Sequence, residues 1–164
     1  MLVLGIDPGT AITGYGLVTE SPAGQLGTVG YGIIQTPKEQ NPGERLQIIF
    51  QKLKEIINLH HPESGSVEKL FFQRNVRTAM AVGQGRGVVL LALAEAGITV
   101  VEYTPSEVKQ AISGYGSAEK KQVQQMVKLL LNLKTLPQPD DAADALALAI
   151  CHLHSRRMQA LIHE

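Results

Sequence analysis

The chain reads as an α/β domain. Three observations predict this: an apolar N-terminal strand continues into two segments that alternate small and large residues, two further strand-like segments are separated by long helical periodicity, and the remainder is helical. Its 164 residues suit one domain, residues 1–164, with enough chain for a real core. Hydrophobic residues make up 44%, and no apolar run approaches the ~20 residues of a membrane span, so a soluble globular protein without membrane contact is expected. The start is strand-like, lacks a basic n-region and meets Asp7 too early for a signal peptide, which predicts a cytoplasmic setting. The single Cys151 agrees, because it excludes an intramolecular disulfide.

Leu2-Val3-Leu4-Gly5-Ile6 forms the first strand, which carries Asp7 to its end and stops at Pro8-Gly9. Thr13 to Val18 and Val29 to Ile34 alternate as antiparallel strands around a turn at Ser21 to Gly24, completing a meander. Leu46, Ile49, Phe50, Leu53, Ile56 and Ile57 recur at helical spacing, so residues 44–59 predict an amphipathic helix ended by His60-His61-Pro62. Neighbouring histidines point about 100° apart on a helix, so His60 and His61 are read as surface residues at a helix end. Ser66 to Phe72 is the next strand, in which period two puts Glu68 opposite Val67 and Phe71. A long helix follows from Arg74 to Ala96. Its Gly83, Gly85 and Gly87 each cost ~1 kcal/mol against Ala, which calls for close packing on the sheet or for a dimer contact.

Ile98 to Tyr103 is a fifth strand, and Thr104-Pro105-Ser106-Glu107 matches a capping box opening a short helix. After Gly114-Tyr115-Gly116, Ser117 is placed to cap another helix containing Val123, Met126, Val127, Leu130 and Leu131. The final helix opens at Asp140-Asp141 behind Pro137 and Pro139. Cys151 belongs to the core, His152 and His154 are read as exterior, and residues 155–164 are expected to form a flexible, fraying tail.

The formal net charge is zero, but the charges are unevenly spread. Residues 69–134 hold nine Lys/Arg against four Asp/Glu, whereas residues 1–68 hold four against seven. A basic surface beside an acidic pocket suits an enzyme that handles phosphates and metals together. Lys109, Lys120 and Lys121 flank the Gly114–Gly116 turn, where phosphate contact is a natural use.

The acidic candidates are Asp7, Glu68, Asp141 and Asp144. An ionised Asp at the end of a buried strand is costly unless paired or bound to a metal, although Asp7 also suits a turn cap at Pro8-Gly9. Helix capping accounts for Asp140 or Asp141 but not for Asp144, which lies one turn in on an almost wholly apolar helix. Residues three apart share a face with Cβ atoms ~5–6 Å apart, so Asp141 and Asp144 repel unless a cation lies between them. A divalent-metal site is the preferred reading.

Five ordered stretches carry a resemblance: Gly5-Ile6-Asp7-Pro8-Gly9-Thr10 with Thr13-Gly14-Tyr15-Gly16; Glu68 with Phe71-Phe72 and Asn75; Gly83-Gln84-Gly85-Arg86-Gly87; Gly116-Ser117-Ala118-Glu119-Lys120; and Asp141-Ala142-Ala143-Asp144-Ala145-Leu146-Ala147. Over residues 1–154 the chain resembles RuvC, the bacterial Holliday junction resolvase family. The resemblance implies a ribonuclease H-like fold, a five-stranded mixed sheet with helices on both faces, in a homodimer that cuts two opposed strands of a four-way junction during recombination and repair. It places the catalytic and metal-holding carboxylates on Asp7, Glu68, Asp141 and Asp144. The family's loop aromatic falls on Phe71, with Phe72 a second candidate, and its DNA-contacting lysines on Lys109 and Lys120; Arg74 and Lys121 are DNA-contact candidates beside them. It further implies coupling to the RuvA–RuvB branch-migration complex. Glu63-Ser64-Gly65-Ser66 is more polar than usual in the family, and Lys69 stands where Glu or Gln is usual.

Phosphodiester hydrolysis fits this donor set. Two Mg²⁺ ions ~3.5–4 Å apart, which Mn²⁺ can replace, activate water and stabilise the departing 3′-oxygen, and such hard cations favour carboxylate ligands. Asp7 would bridge the two, with Glu68 and Asp144 completing the shells and Asp141 acting as ligand or helping to activate water. The alternatives are a branched-DNA binding module that does not cut and a related nuclease acting on RNA. Asp7-Pro8-Gly9-Thr10 also resembles the first phosphate loop of actin-like and sugar-kinase ATPases, whose two lobes exceed this length.

Overall fold

The computed structural model describes residues 1–69 and 76–162. Its elements follow in the order β1 (Leu2–Asp7), β2 (Ile12–Glu20), β3 (Leu26–Gln35), α1 (Pro42–His60), β4 (Ser64–Glu68), α2 (Val76–Glu95), β5 (Thr99–Tyr103), α3 (Pro105–Ser113), α4 (Lys120–Leu130) and α5 (Asp140–Ile162). The five strands form one mixed sheet ordered β3-β2-β1-β4-β5. The meander β1–β2–β3 is antiparallel, and β4 and β5 add to β1 in parallel after helical crossovers.

The alternation along β1 builds both faces of this sheet. Leu4 and Ile6 point to one side, where Ile49, Leu53 and Ile57 of α1 and Val89 and Leu93 of α2 cover them. Val3 points to the other side, toward Leu146, Ile150 and Leu153 of α5 and Val108 and Ile112 of α3. Gly5 and Asp7 share the side of Val3. By the same rule Ser64, Ser66 and Glu68 of β4 face α5, while Val67 belongs to the α1–α2 side.

Helix α5 lies directly on the sheet because the strands beneath it lack side chains where it passes. A Cβ on Gly5 would run into the Ala145 carbonyl, and one on Gly14 into that of Asp141. The helix returns the favour with Ala142, Ala145 and Ala149, all buried. This close approach sets the height of Asp141 and Asp144 over β1.

Four local expectations change. The strand expected over Ser66 to Phe72 begins earlier, at Ser64, and has ended by Lys69, while Leu70 to Phe72 lie outside the described residues. Glu119, not Ser117, occupies the N-cap of α4, with no side-chain cap bond, because Ala118 is drawn into the core and Ser117 is spent on the turn before it. The last helix continues through Ile162, across most of the stretch expected as a tail. His152 is buried, not exterior, because α5 is enclosed on nearly every side from Ala142 to Leu153. His154 is half-buried, with Nδ1 3.0 Å from the Ala111 carbonyl.

Candidate active site

Asp7 ends β1 on the α5 side, and the turn after it does not use its carboxylate. Thr13, fully buried, closes that turn: its hydroxyl donates to the Gly9 carbonyl at 2.6 Å and accepts from the Gly9 amide at 3.4 Å. The carboxylate of Asp7 is thereby left to the cleft between β1, β4, α3, α4 and α5. That cleft, about 220 Å³, is lined by Asp7, Glu68, Lys109, Lys120 and Asp144 together with Pro105, Val108, Val123, Ala147 and Leu148. Glu68 sits at the end of β4, paired in register with Tyr103 of β5.

The cleft concentrates negative charge. Burial pushes the Asp7 carboxyl up from its usual 3.8 to about 7, and the like charges of Asp144, Glu68 and Asp141 add to the rise against the opposing Lys120. Burial raises Glu68, helped by Asp144, and burial raises Asp144 against the attraction of Lys120. The Lys120 ammonium lies 3.2 Å from Asp140 and 3.4 Å from Asp144. Burial pulls that ammonium down, but the two carboxylates outweigh it and hold the pKa above the ordinary value. A lysine in the first turn of α4 opposes the helix dipole, and this ion pairing offsets the penalty. Lys120 first, and then Gln124, which donates at 3.0 Å, hold Asp140 below its usual range, so Asp140 is the carboxylate tied into structure.

Among the described residues no three acidic, His or Cys side chains converge to coordination distance. The donor set nevertheless fits hard divalent cations. It consists of oxygen ligands, the charges of Asp144, Glu68 and Asp141 add to the rise at Asp7, and an ammonium already supplies part of the missing positive charge.

A family profile described as "Crossover junction endodeoxyribonuclease RuvC" matches residues 3–152. The chain belongs to the RuvC family. The RuvC protein of Heliobacterium modesticaldum is 57% identical over 155 residues, covering 94% of this chain and 95% of that one. That of Moorella thermoacetica is 57% identical over 152 residues, covering 93% and 90%. Among solved structures, Thermus thermophilus RuvC in complex with a Holliday junction substrate superposes with a TM-score of 0.92 at 38% identity, covering 97% of this chain and 96% of that one. The yeast mitochondrial Holliday junction resolvase, with a TM-score of 0.68 at 13% identity over 94% and 80% of the two chains, shares the fold. The ribonuclease H-like, five-stranded mixed sheet expected from the sequence is therefore the fold of this RuvC family member.

Of the candidates named from this RuvC sequence, Asp7, Glu68, Asp144, Lys109 and Lys120 meet in one cleft. Asp141 does not line it but acts on Asp7 through its charge. Lys121 is exposed outside the cleft lining. Phe71, Phe72 and Arg74 lie outside the described residues. Two contributors went unrecognised in the sequence. Gly5 and Gly14 set the seat of α5, and His152 joins Ser64 and Tyr103 behind the cleft. The signal for the second is the polar Ser64 within an inner strand.

Proposed function

We propose that this protein resolves Holliday junctions by paired, symmetric hydrolysis of phosphodiester bonds in four-way junction DNA. The observation that carries this reading is the cleft in which Asp7, Glu68 and Asp144 gather beside Lys109 and Lys120, a set of carboxylates whose charge is unmet by the protein alone. Membership of the RuvC family and the likeness to a RuvC–junction complex support the substrate class.

Two Mg²⁺ ions, replaceable by Mn²⁺, would be held by Asp7, Glu68, Asp141 and Asp144 and would supply the charge that activates water and stabilises the leaving 3′-oxygen. The chain's own residues do the rest. Asp7, whose carboxyl burial perturbs most, would hold the ions from the end of β1. Glu68 and Asp144 flank it from β4 and α5. Lys120, paired with Asp140 and Asp144, and Lys109 border the same cleft and would supply ammonium groups to a phosphate there. Phe71, Phe72, Arg74 and Lys121 are proposed as further DNA contacts, Phe71 for an unpaired base.

Two symmetric nicks ask for two sites related by a two-fold axis, so a homodimer is part of the reading. One face of α2 suits the interface. Val76, Met80 and Leu91 on it are 73%, 64% and 58% exposed, and Cβ atoms on Gly83 and Gly87 would meet nothing within 4 Å. Gly85, in contrast, packs against the Gly9–Thr10 turn. Gly83 and Gly87 thus leave room for a dimer contact, while Gly85 packs on a turn instead of on the sheet. Among the described residues no helix is long and apolar enough to cross a membrane. A cytoplasmic protein, coupled to the RuvA–RuvB branch-migration complex, completes the proposal.

The test uses a mobile four-way junction labelled on each arm in turn, against linear duplex and RNA–DNA hybrid, with Mg²⁺ or EDTA. Symmetric nicks in the junction alone, dependent on Mg²⁺, are expected. Preferential hybrid cleavage would reassign the substrate to RNA, and tight junction binding without cutting in any divalent metal would leave a binding module.

A further inference from the structure

Behind the cleft, on the α5 side of the sheet, His152 is 2% exposed and both of its ring nitrogens are engaged. Nε2 lies 2.8 Å from Ser64 Oγ, and Nδ1 lies 2.8 Å from the Tyr103 hydroxyl. The Ser64 hydroxyl donates to the Thr99 carbonyl at 3.2 Å, so its oxygen is left to accept the Nε2–H. Nδ1 then keeps its lone pair and accepts the Tyr103 hydroxyl proton. The chain of donors thus fixes one neutral tautomer. Burial and the nearby Arg156 charge push the imidazolium form down, in agreement with it.

The placement of these groups is more telling than their bonding. Ser64 begins β4, the strand that ends in Glu68, about 13 Å further on at 3.3 Å per residue. Tyr103 ends β5 directly opposite Glu68, and its carbonyl accepts the Lys69 amide at 2.7 Å. His152 rides on α5, which carries Asp141 and Asp144. One side chain therefore ties the Asp144 helix to the start of the Glu68 strand directly and to its end through Tyr103. Among the described residues the Glu68 carboxylate accepts no hydrogen bond, so its place relative to Asp144 depends on how β4 is seated.

We propose that His152, with Tyr103 and Ser64, is a positioning residue for junction cleavage, pinning β4 and β5 to α5 so that Glu68 stands at working distance from Asp7 and Asp144. This rests on the proposed reaction. Displacement of a reacting group by 1 Å can cost 10²-fold, and loss of a supporting hydrogen bond typically costs 10–100-fold in metal affinity or activity.

Tyr103→Phe removes only the hydroxyl that Nδ1 accepts and keeps the ring. His152→Ala opens a buried cavity, and if it fails to fold, Tyr103→Phe decides the matter alone. Ile49→Val, on the opposite face of the sheet, serves as a control that loses stability without touching the clamp. Three quantities are read well below each protein's melting temperature: the single-turnover rate on a synthetic four-way junction, the junction Kd in EDTA, and the Mg²⁺ concentration giving half of the maximal rise in Tm. For Tyr103→Phe the expected results are a rate lower by roughly 10–100-fold, a Kd within about threefold of the parent, and a Mg²⁺ midpoint roughly tenfold higher, with Ile49→Val unchanged in all three. A Tyr103→Phe rate within about twofold of the parent, or a loss matched by Ile49→Val, would overturn the positioning role. Absence of cleavage by the parent protein would instead overturn the reaction, with the Mg²⁺ midpoint still reporting on the clamp.

Discussion

Replacing Asp7 with Asn is expected to stabilise the metal-free protein while abolishing cleavage. The carboxyl of Asp7 is pushed from 3.8 to about 7, first by burial and then by Asp144, Glu68 and Asp141. At 1.36 kcal/mol per pKa unit, keeping Asp7 ionised in the folded state at pH 8 costs at most about 4 kcal/mol, and water at the cleft mouth reduces this to roughly 2–4. Asn has nearly the same shape and no charge. Because the folded-state pKa is the higher one, both states are protonated below about 4 and the cost vanishes there. It grows as the pH rises through about 7 and levels off above. Thermal denaturation of both proteins in EDTA from pH 4 to pH 8 measures this. For a chain of this size the Asn variant should melt roughly 5–15 °C higher at pH 8, with the gap closing toward pH 4. Mg²⁺ should reverse the order by stabilising the wild type far more. Equal melting temperatures at pH 8, or a gap independent of pH, would refute the electrostatic account of Asp7.

Other predictions concern how the site is seated and used. Gly14→Ala puts a Cβ against the Asp141 carbonyl and should cost roughly 1–3 kcal/mol, seen as a lower urea midpoint. Gly30→Ala, where a Cβ meets nothing within 4 Å, is the control and should cost far less. Lys120→Met removes the ammonium beside Asp140 and Asp144, so junction binding should weaken and the slope of log K against log salt should fall by about one per site. An unchanged slope would remove Lys120 from the phosphate contacts. Met80→Glu places a charge on the open face of α2 and should convert a dimer to monomers in sedimentation, whereas an unchanged mass would move the interface elsewhere.

Much of this architecture is legible in the sequence because its signals are local. The run Leu2–Ile6 ends in a carboxylate, the spacing from Leu46 to Ile57 is helical, and Thr104 with Glu107 forms the capping box seen at α3. The position of Asp144 among apolar residues likewise announces something beyond capping. The missed features depend on partners distant in sequence. Gly5 and Gly14 look like ordinary small residues of alternating strands until α5 arrives on top of them. Spacing relates His152 to His154 and points both outward, but it says nothing about how much of α5 is enclosed. Ser117 has the chemistry of a cap, yet burial of Ala118 decides where α4 begins. Local propensity yielded to tertiary packing in each of these three cases.

The measurement that tests the central claim most directly compares wild type with Asp7→Asn, Glu68→Gln, Asp141→Asn and Asp144→Asn on one labelled four-way junction, recording binding in EDTA and incision in Mg²⁺. If these carboxylates form one metal-bearing site, all four variants bind the junction as tightly as wild type or more so, and each loses incision by orders of magnitude. A wild-type rate retained by Asp7→Asn or Asp144→Asn would contradict the account, because the cleft between β1 and α5 would then not be where the strand is cut.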